Sequence, residues 1–207
     1  SAIRQLWTLN IFSDVQISIE REITEGIFLL IKVEEYPRLE RVAIEGNDEI
    51  DTEDIEAKVT FLRGTVISPQ SIAKLKIRIK DLYAEEGFLN AEVKDDAYEF
   101  FSADTVDEDI TVTWRNKKDF SDEYQYTYES SDQIYSNLIE RIKDRVLLKL
   151  TIEEGNEVIV REIAVNGNTV FDDDELAGEM EETSVSSWWK FWSSAQFKPK
   201  DFEKDKQ

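Results

Sequence analysis

The sequence predicts an α+β fold of tandem β-α-α-β-β modules, each a small three-stranded sheet covered by two helices. Two observations carry this reading: a set of motifs occurs twice in the same order, and apolar spacing switches between period 2 and helical period along each copy. "RVAIEGNDEIDTEDI" (41–55) aligns without gaps on "EIAVNGNTVFDDDEL" (162–176), pairing Val42 with Ile163, Ile44 with Val165, Gly46-Asn47 with Gly167-Asn168, Asp51 with Asp172 and Ile55 with Leu176. Upstream, "FLLIKVEE" (28–35) matches "LLKLTIEE" (147–154), and "LWTLNIFSDVQI" (6–17) resembles "LYAEEGFLNAEV" (82–93). "VISPQSIAKLK" (66–76) and "QFKPKDFEKDK" (196–206) each place a proline at a helix start.

The elements follow in order. Ile17, Ile19, Ile27, Leu29, Ile31 and Val33 alternate with other residues on either side of "ITEG", which reads as a β-hairpin. The strand at 42–44 then meets Gly46-Asn47, a turn that needs positive φ; a lone glycine is weak evidence for a phosphate site. The acidic cluster behind it fails as a calcium loop. Counting from Asp172, positions 5, 6 and 12 are Leu176, Ala177 and Thr183, where carboxylate, glycine and glutamate are required. It fits a helix start, with Asp51 or Thr52 as cap, Asp172 in the second copy, and Asp54 and Glu175 completing a capping box. The next helix has Ser68 as cap, Pro69 in its first turn, Ile72, Leu75, Ile79, Leu82 and Tyr83 on one face, and Gly87 as its stop.

Phe12 lies 34 residues before Gly46, whereas Phe88 lies 79 before Gly167, so about 45 extra residues fall between the second and third strands of the longer copy. This insertion, around 97–142, contains "DITVTW", "EYQYTYES" and a helical "DQIYSNLIERIKDR" with Ile134, Leu138 and Ile142 on one face. It has its own apolar face and reads as an ordered extension. The predicted organisation is the back half of one module at 1–37, a complete module at 38–160 and the front half of another at 161–207.

Composition limits function. The 207 residues carry 46 acidic and 25 basic side chains, a formal net charge of −21, so a phosphate backbone is repelled and no nucleic-acid partner is expected. The general acidity also fits a high-salt habitat, where self-repulsion is screened. There is no Cys and no His, which removes disulfides, thiolate and imidazole metal sites and the commonest general base. Catalysis would fall to a carboxylate pair, and the sequence singles none out; no catalytic residue, metal or cofactor is expected. No run approaches the ~18 apolar residues of a membrane helix. Trp188, Trp189, Phe191 and Trp192 crowd one short stretch, read either as a loop folding its rings onto its own domain or as an aromatic anchor for a partner or membrane surface.

The repeated order, the "LLIKVEE" strand running into "RVAIEGN", and "LYAEEGFLNAEV" resemble the POTRA modules of BamA-type outer-membrane assembly factors. "LWTLNIFSDVQI", "FLRGTVISPQSI" and "WWKFW" resemble the forms these take in Bacteroidetes-like bacteria. The resemblance spans the chain except for 97–142. It implies a non-catalytic periplasmic arm tethered to the outer membrane through a C-terminal β-barrel, with unfolded outer-membrane proteins and accessory lipoproteins as partners. It also implies that the second strand of each module is a sheet edge available to an incoming strand. By motif position these edges are Val15, Gln16, Ile17, Ser18 and Ile19 in one module and Asn90, Ala91, Glu92, Val93 and Lys94 in the next. The arm of a two-partner secretion transporter, or a barrel-less periplasmic scaffold, would share these motifs. The half-modules at the two ends would also permit domain-swapped self-association.

Overall fold

A computed structural model describes residues 2–106, 109–129, 137–162 and 197–206, with isolated positions at 164, 166, 167 and 170. The alternating stretches form strands and the helically spaced ones form helices. In chain order these are α1 (Ala2–Thr8), β1 (Phe12–Ile23), β2 (Gly26–Glu35), β3 (Arg38–Glu45), α2 (Thr52–Lys58) and α3 (Pro69–Glu85). They are followed by β4 (Glu92–Val106), β5 (Asp109–Asn116), β6 (Glu123–Tyr128), α4 (Leu138–Ile142), β7 (Arg145–Glu153) and α5 (Pro199–Asp205). β1 and β2 pair as a two-stranded sheet, and the remaining strands form a five-stranded sheet in the order β3-β7-β4-β5-β6. With β5, β6 and α4 set aside, the chain order is β3, α2, α3, β4, β7, the expected β-α-α-β-β sequence. The third strand lies between the first and second.

The chain clusters into two compact units, one of 1–43, 60–74 and 95–150, the other of 44–59, 75–94 and 151–207. These limits differ from the sequence-read ones at 37 and 160, because the cuts fall inside β3, α3 and β7 and within three residues of the start of β4.

The first unit holds an apolar cluster of Ala43, Tyr98, Ile110, Val112, Trp114, Tyr128, Leu138, Ile142 and Leu147. All but Ala43 and Leu147 come from 97–142, so the insertion brings its own core, as its apolar spacing predicts. The helix in it is shorter than expected: it starts at Leu138 because Asn137 adopts a left-handed φ of 73°, and Ile134 lies outside the described residues. Beside this core, the fully buried Glu40 carboxylate of β3 meets three arginines. Arg63 Nε lies 3.1 Å away, Arg145 Nη1 2.8 Å and Arg141 Nη2 3.6 Å.

The second unit buries Ile55 of α2 and Leu75, Ile79 and Tyr83 of α3, the last three at i, i+4 and i+8. The Tyr83 hydroxyl donates to Glu154 Oε1 at 2.8 Å, and the same carboxylate accepts the Glu49 N–H at 3.0 Å. Burial, then the Glu154 hydrogen bond, pushes the Tyr83 hydroxyl well above its ordinary value of about 10. Gly46 and Gly167 both have positive φ, 79° and 88°, as the repeated turn requires.

Helix starts divide. For α3, the Ser71 N–H donates to Ser68 Oγ at 3.3 Å and the Ser68 N–H to Ser71 Oγ at 2.9 Å, a reciprocal cap at the expected residue. For α2 the expected capping box is replaced. Asp51 sits at the cap position with its exposed side chain unbonded to the helix, and Asn47 Nδ2 instead donates to Ile50 O at 3.0 Å and Thr52 Oγ1 at 2.9 Å. A bridging amide one turn upstream fixes the helix entry, so Glu53 and Asp54 act there only through the helix dipole.

Gly46→Ala is expected to cost about 2 kcal/mol or more in urea unfolding, since its Cβ would stand 2.3 Å from Ile152 O at positive φ. Glu40→Ala is expected to lower stability by about 3 kcal/mol or more, because it leaves three guanidinium groups facing one another without their carboxylate. Tyr83, Tyr98 and Tyr128 all have raised hydroxyl pKa values. The unfolded chain therefore ionises first, and the stability they contribute is complete below about pH 10 and lost as pH rises above it. Tyr83→Phe should make that alkaline decline shallower in a denaturation series from pH 8 to 12.

Candidate binding edges

The residues singled out in β1 lie on one strand of the hairpin. β1 has 12 residues against 10 in β2, and the difference is taken up by register shifts at Ser13 and Glu20, two β-bulges on β1. Between the bulges Val15 faces Val33, Ile17 faces Ile31, and Ile19 faces Leu29, so six aliphatic side chains share one face. That face is open: Ile19 is 60% exposed, Leu29 57% and Ile31 51%. Gln16 and Ser18 point to the opposite face and are also exposed. Among the described residues no third strand pairs with either β1 or β2, so the outer backbone edge of each is free of a ladder.

The repeat gives this exposure meaning. Leu29, Ile31 and Val33 align with Leu148, Leu150 and Ile152 of β7, which are 0%, 0% and 3% exposed. The same sequence pattern is core in one copy and exposed in the other, where the sequence carries only the back half of the module.

The second predicted edge lies at the start of β4, ahead of the strands that the insertion adds. Asn90 and Ala91 precede β4, while Glu92, Val93 and Lys94 open it. β4 itself is an interior strand between β7 and β5. The cause is the insertion, which prolongs β4 to 15 residues and folds β5 back along its outer part. The β5 ladder begins at Tyr98 opposite Asn116, so Glu92 to Asp96 precede it. Ala91 and Val93 are buried, whereas Asn90, Glu92 and Lys94 are exposed. Lys94 is ion-paired with Glu153 of β7.

Sequence reasoning missed the edge that the insertion creates. β6 is the terminal strand of the five-stranded sheet, with Tyr124, Tyr126 and Tyr128 opposite Trp114, Val112 and Ile110 of β5. The Arg41 guanidinium stacks 3.6 Å from the Tyr126 ring centroid and holds that face. The signal was present as the alternation in "EYQYTY", but period 2 marks a strand without saying whether it is central or terminal. Trp188, Trp189, Phe191 and Trp192 lie outside the described residues.

The acidic stretch behind Gly46 contributes Glu49, Asp51 and Asp54 to a crevice of about 290 Å³ also lined by Glu86, Glu157 and Phe88. Among the described residues no three carboxylates are grouped to hold a metal ion.

Residues 37–115 match the POTRA family, described as "Surface antigen variable number repeat". Over 91 residues the chain is 36% identical to a protein of Nitratidesulfovibrio vulgaris named outer membrane protein assembly factor BamA, covering 44% of this chain and 11% of that protein. The chain thus spans about a tenth of the length of this curated relative. Among solved structures, POTRA domains 3–5 of Haemophilus influenzae BamA align over 99% of this chain and 64% of theirs at 18% identity and a TM-score of 0.45. The N-terminal domain of Omp85 from Thermosynechococcus elongatus aligns over 98% and 66% at 14% identity and 0.43. The match over 37–115 takes in β3, α2, α3, β4 and most of β5, while β7 lies outside it; over these residues the chain is similar to the POTRA family, and over 91 residues to a protein named BamA.

Proposed function

We propose that this chain is part of the periplasmic arm of an outer-membrane β-barrel assembly factor, where it receives unfolded outer-membrane proteins and docks accessory lipoproteins without catalysing a reaction. The observation that carries the reading is the similarity of residues 37–115 to the POTRA family, together with the 36% identity over 91 residues to an assembly factor. An unfolded barrel strand carries a ladder of backbone groups and an apolar side chain at every second position. The strands of such modules carry backbone groups and side chains of the same period. The relative's name, outer membrane protein assembly factor, points the same way.

In this reading the arm carries the back half of a module at 1–37, a complete module at 38–160 and the front half of another at 161–207, and is anchored by a β-barrel elsewhere in the protein. No helix among the described residues is long and apolar enough to cross a membrane, and a barrel crosses with strands.

Site-directed photo-crosslinking tests the reading in the intact assembly factor during outer-membrane protein assembly. A probe at Ile17 is expected to capture nascent barrel proteins, and Ile31→Lys on the same face should reduce that capture at least about tenfold, since a lysine opposite Ile17 places an unpaired charge in the contact. A second probe belongs at the exposed Lys94, because Val93 is buried. Silence at both positions, with the protein folded and assembly active, would remove substrate contact and leave a spacer.

A further inference from the structure

We propose that β6, the outer strand contributed by the insertion, is a second docking edge that takes one amphipathic β-strand of an unfolded outer-membrane protein. The inference rests on the function proposed above and names a surface for it outside the three strands β3, β7 and β4.

The backbone geometry can be read residue by residue. The Asn116 N–H donates to Asp122 O at 2.9 Å, which makes Asn116 and Asp122 a hydrogen-bonded pair in the β5–β6 register. Hydrogen-bonded and open pairs alternate in an antiparallel ladder. Tyr124, Tyr126 and Tyr128 therefore spend their backbone groups on β5, while the N–H and C=O of Glu123, Gln125 and Thr127 point away from it. The 2.9 Å contact between Thr111 Oγ1 and Thr127 Oγ1 has the close side-chain approach of an open pair. No strand lies beyond β6 among the described residues. Six backbone groups on three residues thus line a free edge.

Nothing on that edge guards it. Native edge strands are commonly blunted by lysine, proline or a bulge. β6 has no Lys, Pro or Gly, its register on β5 is unbroken, and its one charge, Glu123, is neutralised by Arg115 at 2.7 Å. The two faces of β6 also specify the occupant. Tyr124 and Tyr126 present a half-buried aromatic row on the core side, while Gln125 and Thr127 are exposed on the other. An incoming strand that continues both faces must alternate apolar and polar side chains, which is the pattern of a transmembrane barrel strand.

The test uses the whole chain and a synthetic ten-residue peptide alternating Phe, Val or Leu with Ser, Thr or Lys. On saturation, hydrogen exchange of the Glu123, Gln125 and Thr127 amides is expected to slow at least about tenfold, while Tyr124 and Tyr126 change little because they already bond β5. Gln125→Pro removes an outward donor without breaking a β5 bond and should weaken peptide binding at least about tenfold at an unchanged thermal midpoint. Should the proline disturb the fold, the double variant Gln125→Lys, Thr127→Lys keeps the backbone and guards the edge, with the same expected loss. Protection confined to β1 or β2, with both variants binding normally, overturns the β6 site and leaves the proposed function standing. Absence of protection anywhere on the chain sinks both.

Discussion

One buried carboxylate orders the first unit. Glu40 has no solvent contact at its side chain and is surrounded by Arg63, Arg141 and Arg145, which come from the loop before α3, from α4 and from β7. β3, the segment that closes the insertion and the third strand of the module thus meet at a single charge. The loop is further fixed by the backbone: the Leu39 N–H donates to Thr65 O at 2.9 Å and the Gly64 N–H to Leu39 O at 2.7 Å. Arg141 makes no hydrogen bond through Nε or Nη2, so its attraction to Glu40 is Coulombic rather than directional. Such an arrangement carries a desolvation cost that only all the partners together offset. A chain with a strong acidic excess places three of its scarce cations on one buried anion, and the insertion cannot return to β7 without delivering Arg141 to it.

Much of the fold was legible because local chemistry and tertiary context agreed. Period-2 aliphatics gave the hairpin; Ser68, Pro69, Leu75, Ile79 and Tyr83 gave α3 from cap to buried face; Gly46 and Gly167 took the positive φ their repeat implied. What stayed hidden was long-range. "RLERV" reads Glu40 as a solvent-facing residue of a strand, and only the fold brings arginines more than twenty and a hundred residues away onto it. Asp51 and Thr52 both suited the cap by residue type, yet Asn47 reaches Thr52 from the preceding turn. The candidate sites show the same division. Val15 to Ile19 fall on β1 of the hairpin that the alternation predicts, because a hairpin needs only its neighbour. Asn90 and Ala91 fall just before β4 and Glu92 to Lys94 open it ahead of the β5 ladder, whereas the strands that the insertion adds farther along β4 depend on where it folds.

That insertion alters where the sheet exposes an edge. A three-stranded sheet of β3, β7 and β4 would end at β4; continuing β4 and folding β5 and β6 along it moves the terminus two strands outward. The added strands carry their own aromatic core of Tyr98, Trp114 and Tyr128. The relocated edge is therefore supported by packing, unlike a bare β-ribbon, which is marginal in water.

The bulges in β1 have a further effect on anything that lies along it. Ser13 and Glu20 bracket the six residues from Asp14 to Ile19, the longest run of β1 in unbroken register. At about 3.3 Å per residue this is a window of roughly 20 Å. A chain aligned beside β1 loses its match to the backbone at each end of that window, since a bulge changes the spacing and twist of the donors and acceptors. Under the function proposed above, this window matches about two-thirds of a barrel strand of ~9–11 residues, so β1 sets a length as well as a register.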